Sequence, residues 1–331
     1  MNITAAQVNE LRQMTGAGMM DCKKALVECN GDKEAAIDFL RKKGQKIAEK
    51  RADREAAEGV VISATTADHT YGAVIMLNCE TDFVGSNADF VGAAKSFLNA
   101  AVENKIKNLD ELKAFTMGGR TVNDLVTDLT AKTGEKTELK HLEVIEAPYV
   151  ANYNHQGNRL ATVVGFNKAF EGIDETAHEV AMHTAAMSPI AVDENDVPAE
   201  TKTREYEVAV EKTKQEQAAK AVDVALKKAG INPAHVDSDA HIDSNMAKGW
   251  ITEEQAKQAR EIRTRVTEEA LANVKPAMIE NIAKGRVAKF FKENCLLDQA
   301  SLLDGSMTVR QFIQKADKEA TVTAFKRVQL G

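Results

Sequence analysis

Cysteine, proline and aromatic residues are all scarce in this chain. Four cysteines (Cys22, Cys29, Cys79 and Cys295) in 331 residues form no CxxC pair and no metal-ligand spacing, and a chain of this size needs no disulfide staples. A disulfide-framed secreted scaffold and a zinc module are thereby excluded, and a reducing cytoplasm is the expected location. Five prolines and an aromatic content of 5% argue against a sandwich of aromatic-rich strands and for helices packed through small side chains. No stretch approaches the roughly 18 apolar residues of a membrane span, and the first residues lack a basic segment followed by an apolar run. Neither a membrane partner nor an address label is expected. Positive charge is also in deficit, 43 Lys and Arg against 50 Asp and Glu for a net charge of −7. That argues against nucleic-acid binding through bulk charge.

The length implies two or more packed units. At the start, Thr4 and Gln7 have capping-box spacing with Ile3 and Val8 placed as a staple, so a helix begins at Thr4. Val8, Leu11 and Met14 share its face, and Gly16 and Gly18 break it. A second helix carries Met19, Cys22, Leu26 and Cys29, ended by Asn30-Gly31. Asp32 caps a third with Ala36, Ile37 and Leu40 on one face and Gly44 as its stop. Such a unit, residues 1–55, is near the lower limit for independent folding and cannot bury all its apolar surface. Spacing assigns Met19 to its core, whereas Met20 fits a core or an adaptable contact surface equally well. Residues 41–54 carry seven basic and two acidic side chains. They read as a solvated linker helix, with contact to an acidic surface or RNA as the alternative.

Residues 59–65 and 72–78 are β-branched runs separated by a short turn, a hairpin. Asn87 caps a following helix with Phe90, Val91, Ala94, Phe97 and Leu98 on one face, a polar helix covers 122–129, and a third strand covers 139–145. The order then recurs: a hairpin over 149–154 and 160–166, a helix over 176–187, and a third strand near 322–328. Between them, apolar residues at three-and-four spacing on two charged arms predict an antiparallel helical hairpin inserted at 200–275, its second arm starting at the capping box Thr252 to Gln255 with Ile251 as staple. The fold class is therefore α+β. Its parts are a three-helix unit at 1–55, a first core half at 56–147, a second half at 148–199 and 276–331, and the insert.

Sites for bond chemistry fail on their templates. Asp237, Asp239 and Asp243 in the hairpin tip lack the glycine and the bidentate glutamate of a calcium loop. His178 and His183 are five apart, not the four of a helical zinc pair, and read as a surface and a core residue. Gly16-x-Gly18 follows no strand and lacks a third glycine, and no phosphate-binding Walker motif occurs. No nucleophile arrangement is recognisable. No cofactor, no metal and no catalytic residue is expected, and the chain reads as a surface for another protein.

The segment Cys79-Glu80-Thr81-Asp82-Phe83-Val84-Gly85-Ser86-Asn87 joins a strand end to a helix cap. A phenylalanine there can bury ~150–250 Å² in a partner pocket, about 4–6 kcal/mol before ordering costs. The residue pattern alone favours Phe83 and Val84 folding back onto their own core, because exposed apolar groups are avoided unless functional.

Four segments together resemble the bacterial elongation factor Ts family, the guanine-nucleotide exchange factors of elongation factor Tu. Residues 15–26 (TGAGMMDCKKAL) are similar to its N-terminal signature, and residues 79–84 contain its Thr-Asp-Phe-Val motif. Residues 183–189 (HTAAMSP), and the run from Gly285-Arg286 through Phe290-Phe291 to Leu296-Leu297-Asp298-Gln299, are similar to further blocks. The resemblance implies a ubiquitin-associated-like N-terminal domain, a two-part core with small antiparallel sheets, and a coiled-coil hairpin. It also reverses the expectation for Phe83. Residues Thr81, Asp82, Phe83 and Val84 are implied to enter the GTPase near its magnesium and phosphate loop, with Phe83 as the wedge. Met19, Met20 and Lys23 are implied to touch the GTPase domain as well. Elongation factor Tu is the implied partner, direct nucleic-acid contact is not expected, and a homodimer is left open. The chain departs from the family's best-known members in a longer hairpin and in ending at Gln329-Leu330-Gly331.

Overall fold

The computed structural model describes residues 3–331; the first two residues of the expected N-terminal unit lie outside it. Three helices come first, α1 (Ala5–Thr15), α2 (Met19–Glu28) and α3 (Lys33–Lys50). Thr4 and Gln7 form the reciprocal capping box, and Gly16 ends α1 in the left-handed region at φ 67°. Val8, Leu11, Cys22, Ala25, Leu26, Ala36 and Leu40 close the small core, with Ile3 packed against it. Met14 and Met19 do not join that core: both are more than half exposed, as is Met20. Cys22, Ala25 and Leu26, on the inner face of α2, already fill the available interior. Gly44 is not a stop either. It lies buried inside α3, where an added Cβ would come within 2.8 Å of the Ala131 Cβ. Its missing side chain lets α3 lie close against a core helix.

The first core half contains β1 (Glu58–Thr65), β2 (Tyr71–Cys79), the single turn α4 (Asp82–Gly85), α5 (Ala88–Glu103), α6 (Leu109–Ala114), the two-residue strands β3 (Thr116–Met117) and β4 (Arg120–Thr121), α7 (Val122–Thr133) and β5 (Glu138–Glu146). Its sheet has the order β1-β2-β5, antiparallel throughout, with a register shift between Met76 and Leu77. All nine residues of β2 are buried. One face packs with Phe90, Phe97, Leu98, Leu112, Val122 and Leu129 of the helices, and the other joins Val150, Ala161 and Val163 of a second sheet. A strand covered on both sides reads as a continuous apolar run, as residues 72–78 do.

The second half repeats the plan with β6 (Tyr149–Asn154), β7 (Leu160–Phe166), α8 (Ile173–Met187), α13 (Val309–Ala316) and β8 (Val322–Gln329), in the sheet order β6-β7-β8. Gly72 and Gly165 allow the sheets to meet, since a Cβ on either would stand 2.6 or 2.8 Å from Val150 or Ile145. His178 is exposed and His183 is buried, its Nε2 paired with the Gln299 side chain at 3.0 Å.

Contacts divide the chain into two compact units, Met1–Val192 with Gln299–Gly331, and Asp193–Asp298. The three-helix unit thus groups with the core, through α3 against α7. The second unit is larger than the 200–275 expected for the insert. It holds α9 (Ala199–Lys228), α10 (Asp239–Ala247), α11 (Glu253–Asn273) and α12 (Pro276–Asn294). Helix α12, expected with the second core half, packs along α9, where Arg286 makes a two-pronged ion pair with Glu216. At the tip Thr252 forms its capping box with Gln255, and Ile231, Val236, Ile242 and Ile251 build a local core. Asp239 and Asp243 there are engaged by Arg260 and Arg263, and Asp237 by His241. Among the described residues no helix is long and apolar enough to cross a membrane.

Candidate functional site

Strand β2 ends at Cys79, and the chain turns sharply into α4 because Thr81 caps it, its hydroxyl accepting from the Val84 N–H at 3.5 Å. Val84 turns inward onto the core beneath α5, and Gly85 is buried against the Gly59 backbone, where an added Cβ would lie 3.0 Å from the Gly59 oxygen. Asp82 is exposed, and Phe83 is 86% exposed. The sequence pattern favoured both apolar residues folding back; only Val84 does. A single helical turn has one inward side, so Val84 takes it and Phe83, one residue earlier, points away.

The turn is held by charges that lie far from it in sequence. Glu135, just after α7, accepts from the Glu80 N–H at 3.2 Å, the Thr81 N–H at 3.0 Å and the Thr81 hydroxyl at 2.7 Å. Glu80 in turn accepts from the Lys136 N–H and from Arg51 Nη1, both at 2.6 Å, with Arg54 at 3.6 Å. The Lys136 ammonium donates to the carbonyls of Ala52 and Arg54 at 2.7 and 3.0 Å. The basic run is therefore largely consumed within the chain: Arg51 and Arg54 meet Glu80, Lys43 meets Asp21 and Arg41 meets Asp38. Behind the loop, burial and the Glu135 carboxylate push the Cys79 thiol up to about 12, so it stays protonated and unreactive.

The Lys136 amide first, then the Arg51 guanidinium, hold the Glu80 carboxyl below its usual 4.5. A depressed folded value means this stabilisation is complete above pH 4.5 and is lost as pH falls through the folded value. Glu80→Gln should therefore flatten the decline of the urea-unfolding midpoint as pH is lowered below 4.5. An unchanged acid limb would show that Glu80 is not the group responsible.

Met19, Met20 and Lys23 occupy the first turns of α2, all exposed. They are not part of the loop, but the two regions share one brace. Lys132 of α7 packs its chain against Gly16, in the turn before α2, and donates to Asp89 in the first turn of α5 at 2.7 Å. On the loop's other side the Arg159 guanidinium, paired with Glu58, feels the Asp82 charge. Sequence reasoning singled out the four loop residues and the methionines, and it gave no signal for Glu135, Arg51 or Gly59 as part of this arrangement. Glu80 adjoins the motif and was a readable signal, whereas a carboxylate 54 residues beyond Thr81 leaves no local trace.

Among the described residues no group of three or more His, Cys, Asp or Glu is arranged to hold a metal. The arrangement presents an exposed phenylalanine on a braced turn, and comparison with known proteins identifies the family. The family model "Elongation factor TS" matches residues 80–223 and 208–331, and "UBA/TS-N domain" matches residues 3–40. Elongation factor Ts of Phocaeicola vulgatus is 54% identical over 331 residues, covering 100% of this chain and 99% of that protein. That of Parabacteroides distasonis is also 54% identical with the same coverage, and that of Flavobacterium psychrophilum is 40% identical over 99% of both chains. Matched from the first helix to the last strand, with the Thr-Asp-Phe-Val turn inside the matched region, the chain belongs to the elongation factor Ts family.

Proposed function

We propose that the protein accelerates nucleotide exchange by inserting Phe83 into its GTPase partner near the magnesium and phosphate loop, with Asp82 repositioning partner groups and Met19, Met20 and Lys23 making a second contact. Family membership makes the protein a guanine-nucleotide exchange factor for elongation factor Tu in translation elongation, acting by binding and without bond chemistry. The observation that supports the loop mechanism is the 86% exposure of Phe83 on a turn whose every other anchor is buried or hydrogen bonded.

The physical basis is linkage. A protein that binds the nucleotide-free GTPase more tightly than the GDP-bound form must be weakened by GDP by the same factor by which it weakens GDP. Magnesium neutralises the phosphate charge, so displacing the groups around it loosens the nucleotide. The wedge needs only shape and rigidity. GTP binding then reverses the cycle and releases the factor.

The test is release of fluorescent GDP from elongation factor Tu with and without this protein. A concentration-dependent acceleration is expected, and none at micromolar concentration would overturn the reading. In the same assay Met20→Ala should raise the half-saturating concentration roughly five-fold, the loss of ~1 kcal/mol of contact. Its melting temperature should be unchanged, because Met20 is 73% exposed and contributes little to the core.

A further inference from the structure

The turn that carries Phe83 has little intrinsic rigidity. It is a four-residue helix, and its exposed face makes no packing contacts that would fix its direction. A wedge works only when its approach is set before binding, since ordering it on contact would consume the binding free energy meant for the GTPase. Some group outside the turn must hold it.

We propose that Glu135 is the positioning residue of the exchange loop, and that with Glu80 it registers the N-terminal helices and the Phe83 wedge to one another. This rests on the reading of Phe83 as the wedge. The Glu135 carboxylate takes both backbone N–H groups at the entry to the turn and the hydroxyl of its cap residue. Thr81 therefore donates its hydroxyl proton to Glu135 and offers the same oxygen to the Val84 N–H. This two-sided use orients the cap and with it the next two residues, Asp82 and Phe83. The cap bond to Val84 and the inward packing of that side chain close the turn, and Glu135 is the side chain outside it that binds its entry.

The second half of the device runs through Glu80. Its carboxylate gathers Arg51, the cap residue of α3, and Arg54 in the turn beyond it, together with the amide of Lys136, the residue after Glu135. The Lys136 side chain returns to the linker carbonyls of Ala52 and Arg54. Two adjacent residues, 135 and 136, thus hold the loop by one and the linker by the other. Lys140 adds a further bond to the Ala56 carbonyl at 2.9 Å. The basic run 41–54 acquires a specific role here: it fixes where α2, with Met19 and Met20, stands relative to Phe83.

The experiment is a set of GDP-release titrations with the full chain carrying Glu135→Ala, Glu135→Gln, Phe83→Ala and the double variant Phe83→Ala/Glu135→Ala. Glu135→Ala should lower the maximal exchange rate about ten-fold, with the half-saturating concentration altered by less than about two-fold, because the contact surfaces remain and only the aim of the wedge is lost. Glu135→Gln keeps an oxygen for the two backbone N–H groups and should recover to within about three-fold of the unsubstituted protein. In the double variant the Glu135 substitution should cost nothing beyond Phe83→Ala, since it acts through that side chain. Circular dichroism checks that each variant is folded. If Phe83→Ala exchanges normally, the wedge reading fails. If Phe83→Ala is slow while Glu135→Ala is fast, or if the two losses multiply, the wedge stands and the positioning role of Glu135 is overturned. If Glu135→Ala unfolds, Glu135→Gln decides alone: near-normal exchange supports the role, and a ten-fold loss in a folded Gln variant counts against it.

Discussion

Phe83→Ala should slow factor-promoted GDP release about thirty-fold or more while leaving the fold intact. The size follows from what a buried aromatic anchor contributes at an interface, ~2 kcal/mol or more when truncated, and each 1.4 kcal/mol is about ten-fold in rate. The selectivity follows from the structure, because a side chain that is 86% exposed loses almost no intramolecular packing on truncation. Surface substitutions of that kind stay within about 0.5 kcal/mol of neutral stability. The measurement is stopped-flow release of fluorescent GDP beside a thermal melt. A variant that melts several degrees lower would instead make Phe83 a core residue, and one that exchanges at the normal rate would remove the wedge from the mechanism.

The second large effect is on stability. Gly59 lies in β1 opposite Asn78, at φ +146°, a region that side chains avoid. A Cβ added there would stand 2.1 Å from the Leu77 carbonyl oxygen and 2.8 Å from the Asn78 Cα, both backbone atoms of the paired strand. Neither can move without breaking the sheet. Gly59→Ala is therefore expected to cost about 3 kcal/mol or more, from overpacking and backbone strain together. The thermal midpoint should fall by at least about 6 °C. Because Gly85 closes the turn that carries Phe83 against the same Gly59 backbone, the proposed mechanism expects the surviving folded protein to exchange more slowly as well. Gly85→Ala, with its nearest contact at 3.0 Å, should be milder. An unchanged midpoint for Gly59→Ala would mean the strand ends are not packed this closely.

These two glycines mark where sequence reasoning stops. A glycine in a strand run looks like any other weak strand residue until the facing backbone is known. Gly44 makes the same point within a helix: its type and place suggested a stop, yet α3 continues to Lys50 because the absent Cβ admits Ala131 of α7. Met19 was assigned to the core by helical spacing, and it is 56% exposed because Cys22, Ala25 and Leu26 suffice to fill a core of that size. Periodicity gives the angle of a residue around its helix. It does not say whether a neighbour is there to meet it.

The sequence by itself determined the order and type of the main elements, the duplicated hairpin plan, the helix caps at Thr4, Asp32, Asn87 and Thr252, and the motif at residues 81–84. All of these depend on residues within a few positions of one another, where spacing and hydrogen-bond chemistry are sufficient causes. Only the tertiary structure decided that Val84 turns in and Phe83 out, that α12 packs along α9, and that Glu135 and Glu80 brace the turn at residues 81–84. Each of those outcomes depends on groups brought together across tens of residues. A sequence carries no record of such a meeting until the chain has closed around it.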